Sequence, residues 1–106
     1  MTKKQIKHID YKEELLQLLQ DPKEALAYLN AALMDEDQRV FLLALKDVLE
    51  AQGGDISAVA QESQLNRENL YRMLSEKGNP KLTSLRSILH VLGLELAIQP
   101  QLHKNR

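Results

Sequence analysis

The residues with the most chemistry to offer cluster between Asn66 and Lys81. Arg67, Glu68, Tyr71 and Arg72 recur at spacings that alternate with Leu70, Met73 and Leu74 along one short helical stretch. Residues three or four apart share a helix face. If the three apolar side chains point inward, then Arg67, Glu68, Tyr71, Arg72 and Ser75 point out. An arginine fork matches guanine O6 and N7, and a glutamate accepts from cytosine N4. Arg67 and Glu68 fall in the first turn, the part of a recognition helix that reaches base edges, and Arg72 follows about one turn later. Tyr71 suits either a sugar or thymine-methyl contact or the edge of the core. Lys77, Asn79 and Lys81 sit in the following loop, where they would hold phosphates and set register without reading sequence. With Asn66 and Asn69, these nine residues form the candidate DNA-binding set. Taken singly they have a plainer reading: Glu68 and Arg72, four apart, can form a surface pair worth only about 0.3 kcal/mol. Their joint placement after a turn is what favours nucleic acid.

Other chemistries find little support. The chain has no cysteine, which excludes disulfides, thiolate nucleophiles and cysteine-ligated metals. His8, His90 and His103 are far apart, fit no metal-ligand spacing and have no partner for base catalysis. No serine sits in a nucleophile-elbow motif. Asp35-Glu36-Asp37 resembles the start of a calcium loop, but Arg39 takes the next ligand position and no glycine turn follows, so helix capping is favoured. Gly53-Gly54 lacks the further residues of a phosphate-cradling loop and reads as a helix terminus. The expectation is a non-enzyme without cofactor or metal.

Hydrophobic residues make up 43% of the 106 and charged residues 27%, the balance of an ordinary globular chain. No run approaches the roughly 18 apolar residues that span a bilayer, and the N-terminus lacks the apolar segment of a secretory signal. A cytoplasmic protein with no membrane partner is expected. The net charge of −1 hides an uneven distribution: residues 1–54 carry seven Lys/Arg against ten Asp/Glu, whereas residues 64–86 carry five against two. That basic excess is modest and by itself would suit a solvated helix face.

The elements that must position these residues are read as consecutive helices. Asp10 is placed as the cap of a short helix through Leu15, Leu16, Leu18 and Leu19. Asp21-Pro22-Lys23-Glu24 opens a second, with Asp at the cap, Pro at the first helical position and Glu completing a capping box; its inner face is assigned to Ala25, Leu26, Leu29 and Leu33. Acidic residues 35–37 precede a third, with Val40, Phe41, Leu43, Ala44, Val48 and Leu49 at helical spacing, ending at Gly53-Gly54. Asp55 caps a helix through Ile56, Val59 and Ala60 to about Ser63, Gln64-Leu65 makes a turn, and Asn66 caps the helix bearing Arg67 and Arg72. Two short helices so spaced, with a small residue where they approach and an apolar plug in the turn, have helix-turn-helix geometry. A last helix from Leu82 or Thr83 turns Leu85, Ile88, Leu89 and Leu92 inward and stops at Gly93. Leu94 to Gln99 alternates apolar and polar, which predicts one short strand whose partner is a second copy or another protein. The expected class is all-α: a five- to six-helix domain with one C-terminal strand. Residues 1–106 then form a single domain, divided into an extension (1–20), a helical pair (21–54), a DNA-binding core (55–93), a strand (94–100) and a tail (101–106).

Val59-Ala60 through Leu65-Asn66-Arg67, then Leu70, Asn79-Pro80, Leu85 and Gly93-Leu94, resemble the phage-repressor (XRE/Cro-like) helix-turn-helix over about 40 residues. Over residues 8–99, Glu24-Ala25, Tyr28-Leu29-Asn30-Ala31-Ala32-Leu33, Phe41-Leu42-Leu43-Ala44-Leu45, Leu70-Tyr71-Arg72 and Gly78-Asn79-Pro80 resemble the addiction-module antidote (HigA-like antitoxin) family. The resemblance implies an antitoxin that represses its own operon on double-stranded operator DNA and neutralises a ribonuclease-like toxin of the RelE/HigB group. Two departures stand out. Gln64 occupies a turn position where glycine is usual, at a cost of roughly 1 kcal/mol if that position needs positive φ. Asp55 and Glu62 would repel phosphate, which weakens each monomer and favours a homodimer on a two-fold operator. The alternatives are a stand-alone helix-turn-helix regulator and an interaction module that does not bind DNA. The acidic stretch 10–37 and the edge of the 94–99 strand are the surfaces expected to meet a basic toxin or a second subunit.

Overall fold

In the computed structural model, residues 3–53, 61, 67–75 and 78–101 are described. They form five α-helices: α1 (Lys3–Leu18), α2 (Pro22–Leu33), α3 (Gln38–Val48), α4 (Arg67–Met73) and α5 (Leu82–Val91), with a π turn (Leu49–Gly53) continuing α3. The chain is all-α, and no strand occurs among the described residues.

α1 starts seven residues before the expected cap, so Asp10 lies inside it. Residues 3–9 contain neither glycine nor proline, and their lysines and glutamine are good helix formers, so nothing stops the helix there. α2 begins as its residues dictate. Asp21 accepts the Lys23 N–H at 2.9 Å and Pro22 fills the first turn. The reciprocal half of the capping box is replaced: the Asp21 N–H donates to the Leu18 carbonyl at 3.1 Å, which ties the end of α1 to the start of α2. Asp35 accepts the Asp37 N–H at 2.8 Å, and Asp37 caps α3 on Arg39 N at 3.0 Å. The Arg39 Nε also donates to both Asp37 carboxylate oxygens at 3.0 Å, with Nη2 at 2.6 Å from Oδ2. Those bonds hold the Asp37 carboxyl below its ordinary value. Asp37 therefore caps α3, and Asp35 shapes the turn that leads into it.

The α2–α3 hairpin buries a different stripe from the one expected. On α2, Ala25, Leu29 and Ala32 are buried, whereas Leu26 and Leu33 are about half exposed. On α3, Leu42 and Leu45 join Phe41, Ala44 and Val48 inside, whereas Val40 and Leu43 face out. Small Ala25 and Ala32 let the backbones of α2 and α3 approach along their stripe, which side chains the size of Leu26 and Leu33 would hold apart. Tyr28 Oη donates to Asp47 Oδ2 at 2.9 Å, while Lys12 of α1 lies 3.4 Å from both Asp47 and Glu50. These bonds tie Tyr28 and α1 to the C-terminal end of α3. After Val48 the helix widens into the π turn, where buried Leu49 fills the core and Gln52 Nε2 donates to the Leu19 carbonyl at 3.0 Å. One core results, joining Leu19, Leu29, Phe41, Leu45, Leu49, Leu70, Leu74 and Ile88, with Leu15 of α1 packed against it.

Burial, the bond to Asp47 and that carboxylate's charge together push the Tyr28 phenol up from 10.0 to about 12. A pKa raised on folding contributes stability that is complete below the unfolded value and is lost as pH climbs through the folded one. Chemical denaturation midpoints should therefore fall between pH 10 and 12. Tyr28→Phe should be less stable than the native chain at pH 8 and should lose less across that window; an identical slope in both proteins would rule the linkage out.

α5 ends where glycine permits. Gly93 has φ +79, its N–H donates to the His90 carbonyl at 2.9 Å and the Leu94 N–H reaches the Leu89 carbonyl at 2.8 Å, a Schellman terminus. Ile88 and Leu89 are buried, with Leu85 and Leu92 packed beside them. Beyond Gly93, residues 94–101 have no regular secondary structure, so the expected strand at 94–99 is absent. Its alternating pattern is real, but no strand to pair with occurs among the described residues.

Candidate nucleic-acid interface

α4 is seven residues long, and isolated helices shorter than about 12–15 residues are marginal in water. Its shape depends on what it packs against. Leu70 is 0% and Leu74 1% exposed; spaced four apart, they seat the helix in the common core, with Met73 packed beside them. The Ser75 hydroxyl donates to the Arg72 carbonyl at 2.8 Å, satisfying a C-terminal acceptor. Ser75 is thus half-buried and structural, not part of the outward face as expected.

With the inner side fixed, Glu68, Asn69, Tyr71 and Arg72 are all exposed. Tyr71, 40% exposed, keeps one flank of its ring toward solvent. Arg72 Nη1 donates to Asn69 Oδ1 at 3.1 Å, so the amide aims the guanidinium. The Glu68–Arg72 ion pair allowed by spacing is not among those of the described residues. Arg67 occupies the first position of α4. The chain then turns through Gly78, whose N–H donates to the Ser75 carbonyl at 2.9 Å, and exposed Asn79 and Lys81 follow. Lys81 caps α5 with its extended backbone and not with its side chain. Arg86, one turn further on, is also exposed. Asn66 and Lys77 lie outside the described residues. So does the expected first helix from Asp55 to Ser63 with the turn at Gln64-Leu65, apart from Gln61, which is helical and exposed.

A family described as "probable addiction module antidote protein" matches residues 6–100, a span that takes in nearly all of α1 and every other helix. The chain belongs to that family. An uncharacterized protein of Haemophilus influenzae is 30% identical over 95 residues, covering 90% of this chain and 92% of that protein. No solved structure matches. Membership in an antidote family points to a regulatory rather than a catalytic protein and implies a toxin partner in general.

For this antidote, the residue types of the outward face were legible from spacing, but two supporting roles were not. Asn69 as the group that orients Arg72 has no sequence signature beyond its three-residue separation. Gly78 does have one, in the polar run before Asn79-Pro80. A Cβ there would collide with the Met73 carbonyl oxygen and stand 2.6 Å from the Met73 carbonyl carbon and 2.7 Å from the Arg72 oxygen. Those atoms are backbone at the end of α4 and cannot swing aside. Gly78→Ala should destabilise the fold by about 1–3 kcal/mol, the usual cost of overpacking. An unchanged urea midpoint would mean that the loop moves freely off α4.

Proposed function

We propose that this protein is the antitoxin of a type II toxin–antitoxin pair, that it represses its own operon by binding operator DNA as a homodimer through a repressor-like helix-turn-helix, and that it neutralises a ribonuclease-like toxin of the RelE/HigB kind. The observation that carries the DNA reading is the division of α4: two leucines locked in the core and Glu68, Asn69, Tyr71 and Arg72 turned outward together. Arg67, Glu68 and Arg72 read base edges, Asn69 orients Arg72, Tyr71 contacts sugar or thymine methyl, Lys77, Asn79 and Lys81 hold phosphates, and Asn66 completes the DNA-binding set. Five basic residues against two acidic ones across 64–86 give one copy modest electrostatic affinity, so two copies on a two-fold site supply what one cannot. The toxin reading is supported by family membership and by the α2 edge, where exposed Leu26, Leu33 and Met34 adjoin exposed Asp35 and Glu36. An apolar strip rimmed by carboxylates suits a basic partner.

The test is a mobility-shift titration with the duplex upstream of this gene. Binding should weaken with added salt, with a log–log slope of several units as condensed counterions are released. Absence of binding, or a salt-insensitive affinity, would leave a protein-interaction module in its place.

A further inference from the structure

Beside the α2–α3 turn the molecule holds a pocket of about 280 Å³. Its walls are largely apolar: Leu33 ends α2, Phe41 and Leu42 belong to α3, and Pro80 and Leu85 come from the loop before α5 and from α5 itself. The polar groups that line it are Asp35, Gln38 and Asn79, and only Asp35 is acidic. Asp35 Oδ1 accepts the Asp37 N–H at 2.8 Å, which fixes the carboxylate before anything binds. Among the described residues, neither its Oδ2 nor the Gln38 side chain has a hydrogen-bond partner, and no ion pair includes Asp35. Arg39, the cation of the same turn, is held by Asp37 at 2.6 Å. An apolar cleft and an unspent carboxylate therefore meet in one place.

We infer that this pocket receives one long basic side chain, arginine by preference, from the toxin; the inference rests on the toxin reading above. Charge and chemistry select that occupant first. A long basic residue lays its methylene stem along apolar surface and keeps its charged head among polar groups, which is the division the lining offers. A guanidinium has five donors, and Asp35 Oδ2 with the side-chain oxygens of Gln38 and Asn79 can accept them. DNA is a poor occupant, because its phosphates are repelled by the same carboxylate. Size points the same way. Ligand pockets usually enclose about 300–1,000 Å³, so 280 Å³ suits one side chain better than a free organic molecule. Continuity completes the case: Leu33 lines the pocket and also belongs to the exposed strip with Leu26 and Met34, where Glu36 stands beside Asp35. A protein that covers the strip carries its side chains to the pocket. One seated arginine ringed by lesser contacts is how interfaces concentrate affinity.

Pocket and partner are tested apart. The first arm titrates n-propylguanidinium, the arginine side chain alone, into the isotope-labelled full chain. Amide shifts should saturate at Gln38, Phe41, Leu42 and Asn79, whereas the neutral isostere n-propylurea should give no saturable shift. Asp35→Asn keeps an oxygen that can accept the Asp37 N–H and should retain the helical circular-dichroism spectrum, yet it should weaken the cation about tenfold or more, the scale of a hydrogen bond to a charged group. Glu36→Gln, next in sequence but outside the lining, should bind as the native chain does. Equal affinity for the urea, equal binding by Asp35→Asn, or shifts spread over the other acidic residues overturns the proposal. The second arm mixes the full chain with the product of the reading frame beside its gene. Asp35→Asn should weaken that complex about tenfold or more, and Glu36→Gln should leave it intact. A complex of native affinity with Asp35→Asn overturns the proposal and leaves the toxin reading standing. No complex with the native chain removes the toxin reading, and the partner named here falls with it even if the pocket takes the cation. Loss of self-association in Asp35→Asn, with that complex unaffected, would assign the pocket to a second copy and overturn the proposal as well.

Discussion

Leu70→Ala should lower the unfolding free energy by about 2–5 kcal/mol and abolish DNA binding at temperatures where the native chain still binds. Leu70 is fully buried, and truncating a buried leucine costs the transfer free energy of the lost atoms plus that of the cavity left behind. The effect at this position is both local and global. Among the described residues, α4 and its C-terminal turn are anchored in the core by fully buried Leu70 and Leu74, and a seven-residue helix released from one of them has little reason to stay helical. The urea midpoint should fall with an unchanged slope, because the surface exposed on unfolding is nearly the same. Leu43→Ala is the comparison. That side chain is 47% exposed, and surface changes usually stay within about 0.5 kcal/mol. Equal losses at the two positions would mean that α4 is not held through Leu70.

Arg72→Ala should do the reverse, leaving stability nearly intact while weakening operator binding about 10- to 100-fold. The guanidinium is exposed, and its hydrogen bond within the protein is to Asn69, itself exposed, so folding loses little. A bidentate contact to guanine is worth about 1–3 kcal/mol of discrimination against the wrong base. The loss should therefore be largest on the cognate duplex and small on unrelated DNA. A uniform loss on all sequences would reassign Arg72 to a phosphate. An unchanged affinity would remove α4 from the interface.

Local signals in the sequence were reliable wherever the cause was local. Asp21-Pro22 starts α2, Asp37 caps α3, and Gly93 ends α5 in the left-handed conformation that its missing side chain allows. The inward and outward sides of α4 were legible because a helix that short, with two leucines four apart, has one way to sit on a core. Where tertiary fit chooses between neighbouring faces, periodicity did not suffice. Leu26 and Leu33 lie on an apolar stripe as good as that of Ala25 and Ala32. What separates them is size: alanines at 25 and 32 let α2 approach α3 closely, a tertiary fit that the periodicity of one helix does not contain. The segment after Gly93 failed for the opposite reason. Its alternation is a strand pattern, but a ladder needs a second backbone, and none lies beside it among the described residues. Gly78 reads as an ordinary loop glycine until the backbone of α4 is seen to lie where its side chain would be.

The central claim, that α4 and the Asn79–Lys81 loop face DNA, is tested most directly by titrating the isotope-labelled full chain with the duplex upstream of its gene and mapping amide shifts by nuclear magnetic resonance. The largest changes should fall on residues 68–72 and 79–81, with α2 and the α2–α3 turn undisturbed. Changes concentrated on α2 and α3, with α4 silent, would contradict it.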